Sequence, residues 1–485
     1  MNTILIRSIL NGFCPAIGSL DPLIERGVYM LEQKHEDILS NRSIEMEQPK
    51  RKELWSYGLG SFGVYAVSTW IGAFLTFYYT DSVGIAAATV GTLMLLARLF
   101  DGITDVGMGY VVDRTKSKHG KAKPWLLWVS VPFAISTILL FSVPDLSYTG
   151  KLVYVYTTYF LFIIFFTMIA IPYKTLMGVM TLHQHSRSLA NIYTAIFTMI
   201  GNLIVMTLTQ PLVATIGWTN LSVIYGILTI VTLLVTFRVV KERVGIEKES
   251  IATVPFKVGM KTLFKNKYWL MITSYSVCFN ITIALTQGSV LYHSQYILGN
   301  INYYPLVGLA LSAPMLIGLF FVGPFVRKFG KRNVVLAGCF LFITGFFIRM
   351  IDPMNLTTFL LGSAIGGLGA MPGIALTVAM VNDTVEYGDW RFKVRTEGLI
   401  NSAASFGMKV GSGLGLALIG WLLAFGGYVG GLAEQTPLAN QMIIALNIYV
   451  PMTFVIIQMI LLFFFKIDKL YPTILADLQK RKDMS

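Results

Sequence analysis

Charge is scarce in this chain. Only 13% of its 485 residues are Asp, Glu, Lys or Arg, about half the share of a soluble domain. So few charges cannot clothe a water-facing surface, and 55% of the residues are hydrophobic. The composition is that of an all-α polytopic membrane protein. Cysteine is scarce too: Cys14, Cys278 and Cys339 are scattered thiols without metal-ligand spacing, which argues against a disulfide framework or a structural zinc. No Walker loop, HExxH, G-x-S-x-G or paired-cysteine motif occurs, so neither ATP-driven work nor the enzyme chemistries behind those motifs is expected. The chain is read as no enzyme and as needing no cofactor. His119, His183 and His185 fall in loops and are read as solvated. No cleaved secretory signal is visible. The net charge of +13 does not point to nucleic acid, because the basic residues gather in short loops between apolar runs.

Long apolar runs, by contrast, are abundant. A helix needs about 20 apolar residues to cross a bilayer core. Twelve stretches approach that length: 56–80, 86–112, 125–144, 152–178, 189–211, 218–238, 268–292, 303–325, 333–351, 358–381, 400–425 and 442–465. Twelve transmembrane helices are therefore predicted. Glycine is frequent at 44 residues, as expected where helices pack backbone to backbone; "GSGLGLALIG" in the eleventh run is an example. Arg114, Lys116, Lys118, Lys121 and Lys123 follow the second run, and Arg327, Lys328, Lys331 and Arg332 follow the eighth. The alternate loops hold almost no Lys or Arg, Lys151 excepted. Basic loops stay on the cytosolic side, so both termini are predicted to be cytosolic.

The long connection near 239–267 divides the runs into two sets of six. "GYVVDRTKSKHGKAKPW" after the second run is echoed by "GPFVRKFGKRNVVLAG" after the eighth. Matching loops in two six-helix bundles point to a transporter that rocks around a site between its halves. The expected divisions are a cytosolic extension at 1–50, a first bundle at 51–240, a middle loop at 241–267, a second bundle at 268–466 and a cytosolic tail at 467–485. The extension is read as disordered or as a start assigned too early, with Met46 opening "MEQPKRKELW". A monomer in a lipid bilayer is expected.

Acids stand out against the apolar runs. Asp101 and Asp105 lie four apart in the second run and share one helix face. At 1.5 Å per residue they sit roughly 18 and 12 Å above Asp113, which marks the cytosolic end. Ionisable groups at that depth mark ion or proton paths. With the hydroxyl of Thr104, the pair offers hard oxygen ligands to a small cation such as Na⁺; alternatively, like charges side by side favour one of them holding a proton. The structural alternative is an ion pair with Arg98, three residues before Asp101, or with Lys409, nine residues into the eleventh run. Lys409 is expected to face a central cavity and meet the acids when the cation is away, or else to snorkel to the interface.

Lys174, in "AIPYKTLMG", lies just past Pro172, which bends the helix. The bend aims Tyr173 or Lys174 at the cavity, where Lys174 would bind an acidic substrate; interfacial snorkelling is the alternative. Between the tenth and eleventh runs, "NDTVEYGDWRFKVRTEG" is dense in charge. Asp383, Glu386 and Arg395, with Arg187 from the first half, are candidates for a cytosolic gate that breaks as the halves rock; a solvated loop is the alternative.

"SYGLGSFG" (56–63), "FYYTDSVGI" (77–85), "VGTLMLLARLFDGITD" (90–105), "TKSKHGKAKPW" (115–125), "IPYKTL" (171–176), "NDTVEYGDWRFKVRTEG" (382–398) and "MKVG" (408–411) together resemble the glycoside–pentoside–hexuronide:cation symporter family, the melibiose-carrier branch of the major facilitator superfamily. The resemblance covers about residues 51–475. It implies the two-bundle major facilitator fold, alternating access, and uptake of a small-molecule sugar driven by Na⁺, Li⁺ or H⁺ across the cytoplasmic membrane. By similarity, Asp101 and Asp105 match cation-site carboxylates, Thr104 stands where the melibiose carrier has Asn, and Lys409 matches the lysine beside that site. Two sugar-binding acids of that carrier are replaced by Tyr65 and Ala170, and a sugar-contacting aromatic by Lys174. These departures favour an acidic sugar, or a glycoside stacked on Tyr65. The rivals are a symporter of the same fold that carries a lysolipid, and a sugar sensor without net transport.

Overall fold

The structure, a computed structural model, describes residues 48–181, 183–243, 256–393 and 397–483. Among them there is helix and no strand. In a bilayer every backbone N–H and C=O must find its partner inside the segment, and a helix does this locally. Among the described residues ten helices are long and apolar enough to cross a membrane.

Helix α1 (Arg51–Trp70) continues through wider π-helical turns at Ile71–Leu75 and Tyr78–Ser82. Then come α2 (Ala87–Arg114), the short α3 (Lys123–Trp128) and α4 (Ser130–Leu140), and α5 (Tyr148–Met180). Helix α6 (Gln184–Val239) runs for 56 residues and breaks at Gly217, where φ is +79° and ψ 168°. Only glycine adopts that backbone without strain, so the break divides α6 into two apolar pieces. Then follow α7 (Phe256–Lys265), α8 (Lys267–Tyr292), α9 (Tyr304–Phe329), α10 (Lys331–Ile351), α11 (Leu356–Phe392), α12 (Glu397–Phe425), α13 (Pro437–Ile444), α14 (Val450–Phe464) and α15 (Ile467–Asp483). The connection expected at 241–267 thus contains a helix, and most of the segment expected as a tail is α15. Residues 1–47 and Cys14 lie outside the described residues.

Helix α1 lies along α6, α10 along α11, and α2 along α12. The α2–α12 contact joins the first part of the chain to the second, and small residues make it close. A Cβ on Gly420 would come 2.2 Å from the Ala87 carbonyl oxygen and 2.7 Å from the Cα of Gly91. A Cβ on Gly413 would meet the Arg98 stem at 2.8 Å. Both are shorter than real carbon contacts, so these positions let the two helices touch.

One end of the molecule carries the basic loops, and two similar clasps hold it. After α6, the Glu242 carboxylate accepts from the backbone N–H groups of Lys121, Ala122 and Lys123 at 2.9, 2.9 and 2.7 Å. After α14, Asp468 accepts from the backbone N–H of Arg332 at 2.9 Å. Each cradle follows a glycine at positive φ, Gly120 at +98° and Gly330 at +81°. The repeat visible in the two loop sequences therefore extends to the acid that each loop holds.

Candidate functional site

Helices α2 and α12 bring their charged residues together midway along their contact. The Lys409 Nζ lies 2.9 Å from Asp101 Oδ2 and 2.5 Å from Asp105 Oδ2, and it donates to the Asp101 backbone carbonyl at 3.1 Å. Gly413 stands one turn beyond Lys409 against the Arg98 stem, so the small residue sets the depth to which the lysine arm reaches. Arg98 Nη1 stands 3.7 Å from Asp101 Oδ2. The Asp101 side chain is 1% exposed, Asp105 21% and Lys409 18%. Asp101 is thus sealed in protein, whereas Asp105 and Lys409 keep a path to an opening.

Hydroxyls complete the arrangement. Thr167 on α5 donates to Asp101 Oδ1 at 3.1 Å. Thr104 donates to the Asp101 carbonyl at 3.1 Å and lies 3.1 Å from the Thr167 hydroxyl. Two carboxylates, two hydroxyls and a carbonyl form an oxygen-rich pocket of the kind hard monovalent cations take. The Lys409 ammonium sits where such a cation would find most of its ligands. Lys409 occupies the oxygens that a cation placed here would need.

The remaining candidates are placed elsewhere. Tyr173 is 1% exposed. Its ring stacks on Tyr57 at 4.6 Å between centroids, its hydroxyl donates to the Tyr57 carbonyl, and Tyr57 returns a bond to the Tyr173 carbonyl. It holds α1 to α5. Tyr65 is half-buried on α1, and Lys174 is exposed on α5. Among the described residues no hydrogen bond or ion pair joins either to the acid–lysine cluster. Arg187 donates to the carbonyls of Thr181 and Gly178 at 2.8 and 3.2 Å, both beside its own helix. Asp383 is paired with Lys331 at 2.6 Å, and Glu386 lies three residues further along α11. Arg395 lies outside the described residues.

A second junction between the two parts of the chain lies at the end away from the basic loops. Asp81, at the tip of the first span, accepts from the hydroxyls of Tyr296 and Tyr428, each at 2.6 Å. The neighbouring Thr80 hydroxyl lies 2.8 Å from that of Tyr292. Asp81 was visible in "FYYTDSVGI", but an acid at a span end is unremarkable in sequence. Thr167 gave no signal either, since a threonine hydroxyl in a membrane helix is normally satisfied by its own backbone.

Residues 56–469 match the family described as MFS/sugar transport protein. The chain belongs to that family. Its similarity to the isoprimeverose transporter of Lactiplantibacillus pentosus is 30% identity, over 88% of this chain and 91% of the relative. Similarity to the glucuronide carrier protein homolog of Escherichia coli is 29%, over 84% and 91%. In structure it resembles a bacterial homolog of the human lysosomal transporter Spinster, with a TM-score of 0.64 at 14% identity over 88% of this chain and 98% of that one, which shows a shared fold. As a member of the MFS/sugar transport family the protein is a multi-pass membrane transporter and not an enzyme, as its lack of catalytic motifs led us to expect.

Proposed function

We propose that the protein is a secondary active transporter, a cation-coupled sugar symporter working by alternating access. The observation that carries this reading is the Lys409 ammonium held against both Asp101 and Asp105 at the α2–α12 contact. In the proposed cycle a Na⁺ ion or a proton takes the carboxylates and releases Lys409. That loosens a bond between the halves and makes sugar affinity depend on the cation; linkage makes the dependence mutual. Na⁺ would be held by Asp101, Asp105, Thr104 and Thr167, whereas a proton would need only the acids.

Twelve spans would result if α6 crosses twice, divided at Gly217, and if α3 with α4, and α13 with α14, each make a single crossing. Residues 51–240 and 268–466 would then be the two bundles. The clustering of Lys and Arg at one end supports placing that end, and both termini, in the cytosol. Arg187 and Asp383 bond within their own bundles, which fits an opening towards the basic end, with their gating contacts made in the opposite state. The site would lie between the bundles of a protein in the cytoplasmic membrane.

For substrate, we favour an acidic sugar. Lys174 offers an exposed cation on α5, and positions 65 and 170 carry Tyr and Ala rather than acids. The likeness to a glucuronide carrier homolog agrees in direction. The test is uptake into proteoliposomes of neutral and acidic glycosides, with Na⁺ and pH gradients imposed separately. The Asp101→Asn, Asp105→Asn double variant is expected to lose uphill uptake while keeping exchange; accumulation in that variant would refute the site. Lys174→Ala should slow acidic sugars more than neutral ones.

A further inference from the structure

We infer that the basic end carries a binding site for the phosphate of an anionic phospholipid, between the start of α1 and the end of α6. A cavity of about 230 Å³ opens there, lined by Lys50, Lys52, Arg238 and Lys241, with Glu53 and Arg243 at its floor. The floor is electrically closed. Arg243 Nη1 and Nη2 grip the two Glu53 oxygens at 2.7 and 2.9 Å, and both side chains are at most 3% exposed. The acid in the cavity is therefore already neutralised. The walls are not: Lys50, Lys52, Arg238 and Lys241 are exposed, and among the described residues none has a carboxylate partner. Four cations thus converge on one small cavity. The N-terminus of α1, which starts at Arg51, adds the positive end of a long helix dipole. Together these are the elements of a phosphate site.

The choice of a lipid over a free phosphate rests on the surface that leads to the cavity. Ile224, Ile227 and Val231 are 49%, 57% and 49% exposed. They lie 14, 11 and 7 residues before Arg238, on one face of α6. This stripe spans roughly 20 Å and ends at the cations. A phosphate seated between Arg238 and Lys52 would have apolar surface beneath it for its acyl chains. The inference needs only that the chain spans a bilayer; it does not depend on the proposed transport, and its test reads lipid, not uptake.

Full-length protein is reconstituted in nanodiscs of equal phosphatidylglycerol and phosphatidylcholine, then released, and its retained phospholipids are counted by native mass spectrometry. An Arg238→Gln, Lys241→Gln variant is compared with Lys116→Gln, Lys118→Gln, which removes the same charge from another exposed loop. Each cation near an anionic headgroup contributes about a fivefold factor, so the first variant, which removes two, should retain phosphatidylglycerol about 25-fold less than the parent, and the second should match the parent. Equal loss in both variants, or loss in neither, would overturn the site. A parallel arm adds inorganic phosphate to protein in uncharged detergent; if phosphate alone stabilises the parent and not the first variant, the cavity takes a free anion and the lipid reading fails. Should the first variant not purify, Lys50→Gln, Lys52→Gln on the opposite wall gives the same readout.

Discussion

The two junctions between the halves are built from different chemistry. Midway along α2 and α12, opposite full charges meet: one ammonium against two carboxylates, with Arg98 behind them. At the end away from the basic loops, one carboxylate, Asp81, receives two tyrosine hydroxyls. A salt bridge can be dissolved by a competing ion that offers the carboxylates the same charge. The carboxylate–phenol contact holds no ammonium for a cation to displace, so its two bonds tie the helices together without a charge partner that can be exchanged. The α2–α12 junction is therefore suited to yield to a competing charge, and the Asp81 junction to hold its end of the molecule together.

Four substitutions test that division, taken from the largest expected effect. Lys409→Ala leaves two neighbouring carboxylates without their cation. Breaking a fully buried pair costs about 3–5 kcal/mol; with the lysine 18% exposed we expect roughly 2–3 kcal/mol. Thermal unfolding should drop and be partly restored by Na⁺ under sodium coupling, whereas a variant as stable as the parent breaks the comparison. Gly420→Ala pushes a methyl to within 2.2 Å of the Ala87 carbonyl. Overpacking of this kind costs about 1–3 kcal/mol, and we expect about 2 kcal/mol, read as a lower melting temperature that added cation does not repair. Asp81→Asn keeps the shape of the outer contact but removes its charge. Charge-assisted bonds contribute about 1.5–3 kcal/mol each and neutral ones about 1 kcal/mol, so two weakened bonds should shift the open–shut balance at that end by about tenfold, seen as a change in spin-label distances across it. Cation dependence should persist; if it vanishes, the two junctions are not separate. Thr167→Ala removes one donor to Asp101 at about 1 kcal/mol and should change cation affinity about fivefold by calorimetry, with the outer end unaltered.

The acids and the lysine were legible because a charge inside an apolar run is conspicuous and costly. Their mutual contact was legible only as one of two alternatives, since nothing in a lone sequence fixes which face of the eleventh run meets which face of the second. The glycines at 91, 413 and 420 settle it, and their role becomes visible once two helices are laid together. Residues without an anomaly were not readable. Glu242 and Asp468 look like solvated loop acids until their backbone partners are in view. Tyr173 follows Pro172 and was expected at a cavity, yet its ring is fully committed to Tyr57. Arg349 stands two residues from the end of the ninth run, where a charge reads as interfacial; it is instead 1% exposed and donates to Asn447 and Ser363 at 3.0 and 2.9 Å.

Arg98, Lys409, Asp101 and Asp105 formally carry two positive and two negative charges. Their sum is zero, so an unladen protein returning across the membrane would carry nothing for the membrane potential to pull on at this site. One added monovalent cation makes the sum +1, and a potential of 100 mV then acts on it with about 2.3 kcal/mol. If that cation came with a neutral sugar, the potential would act on the laden stroke alone; a singly charged acidic sugar would cancel it, and neither stroke would feel the field at this site.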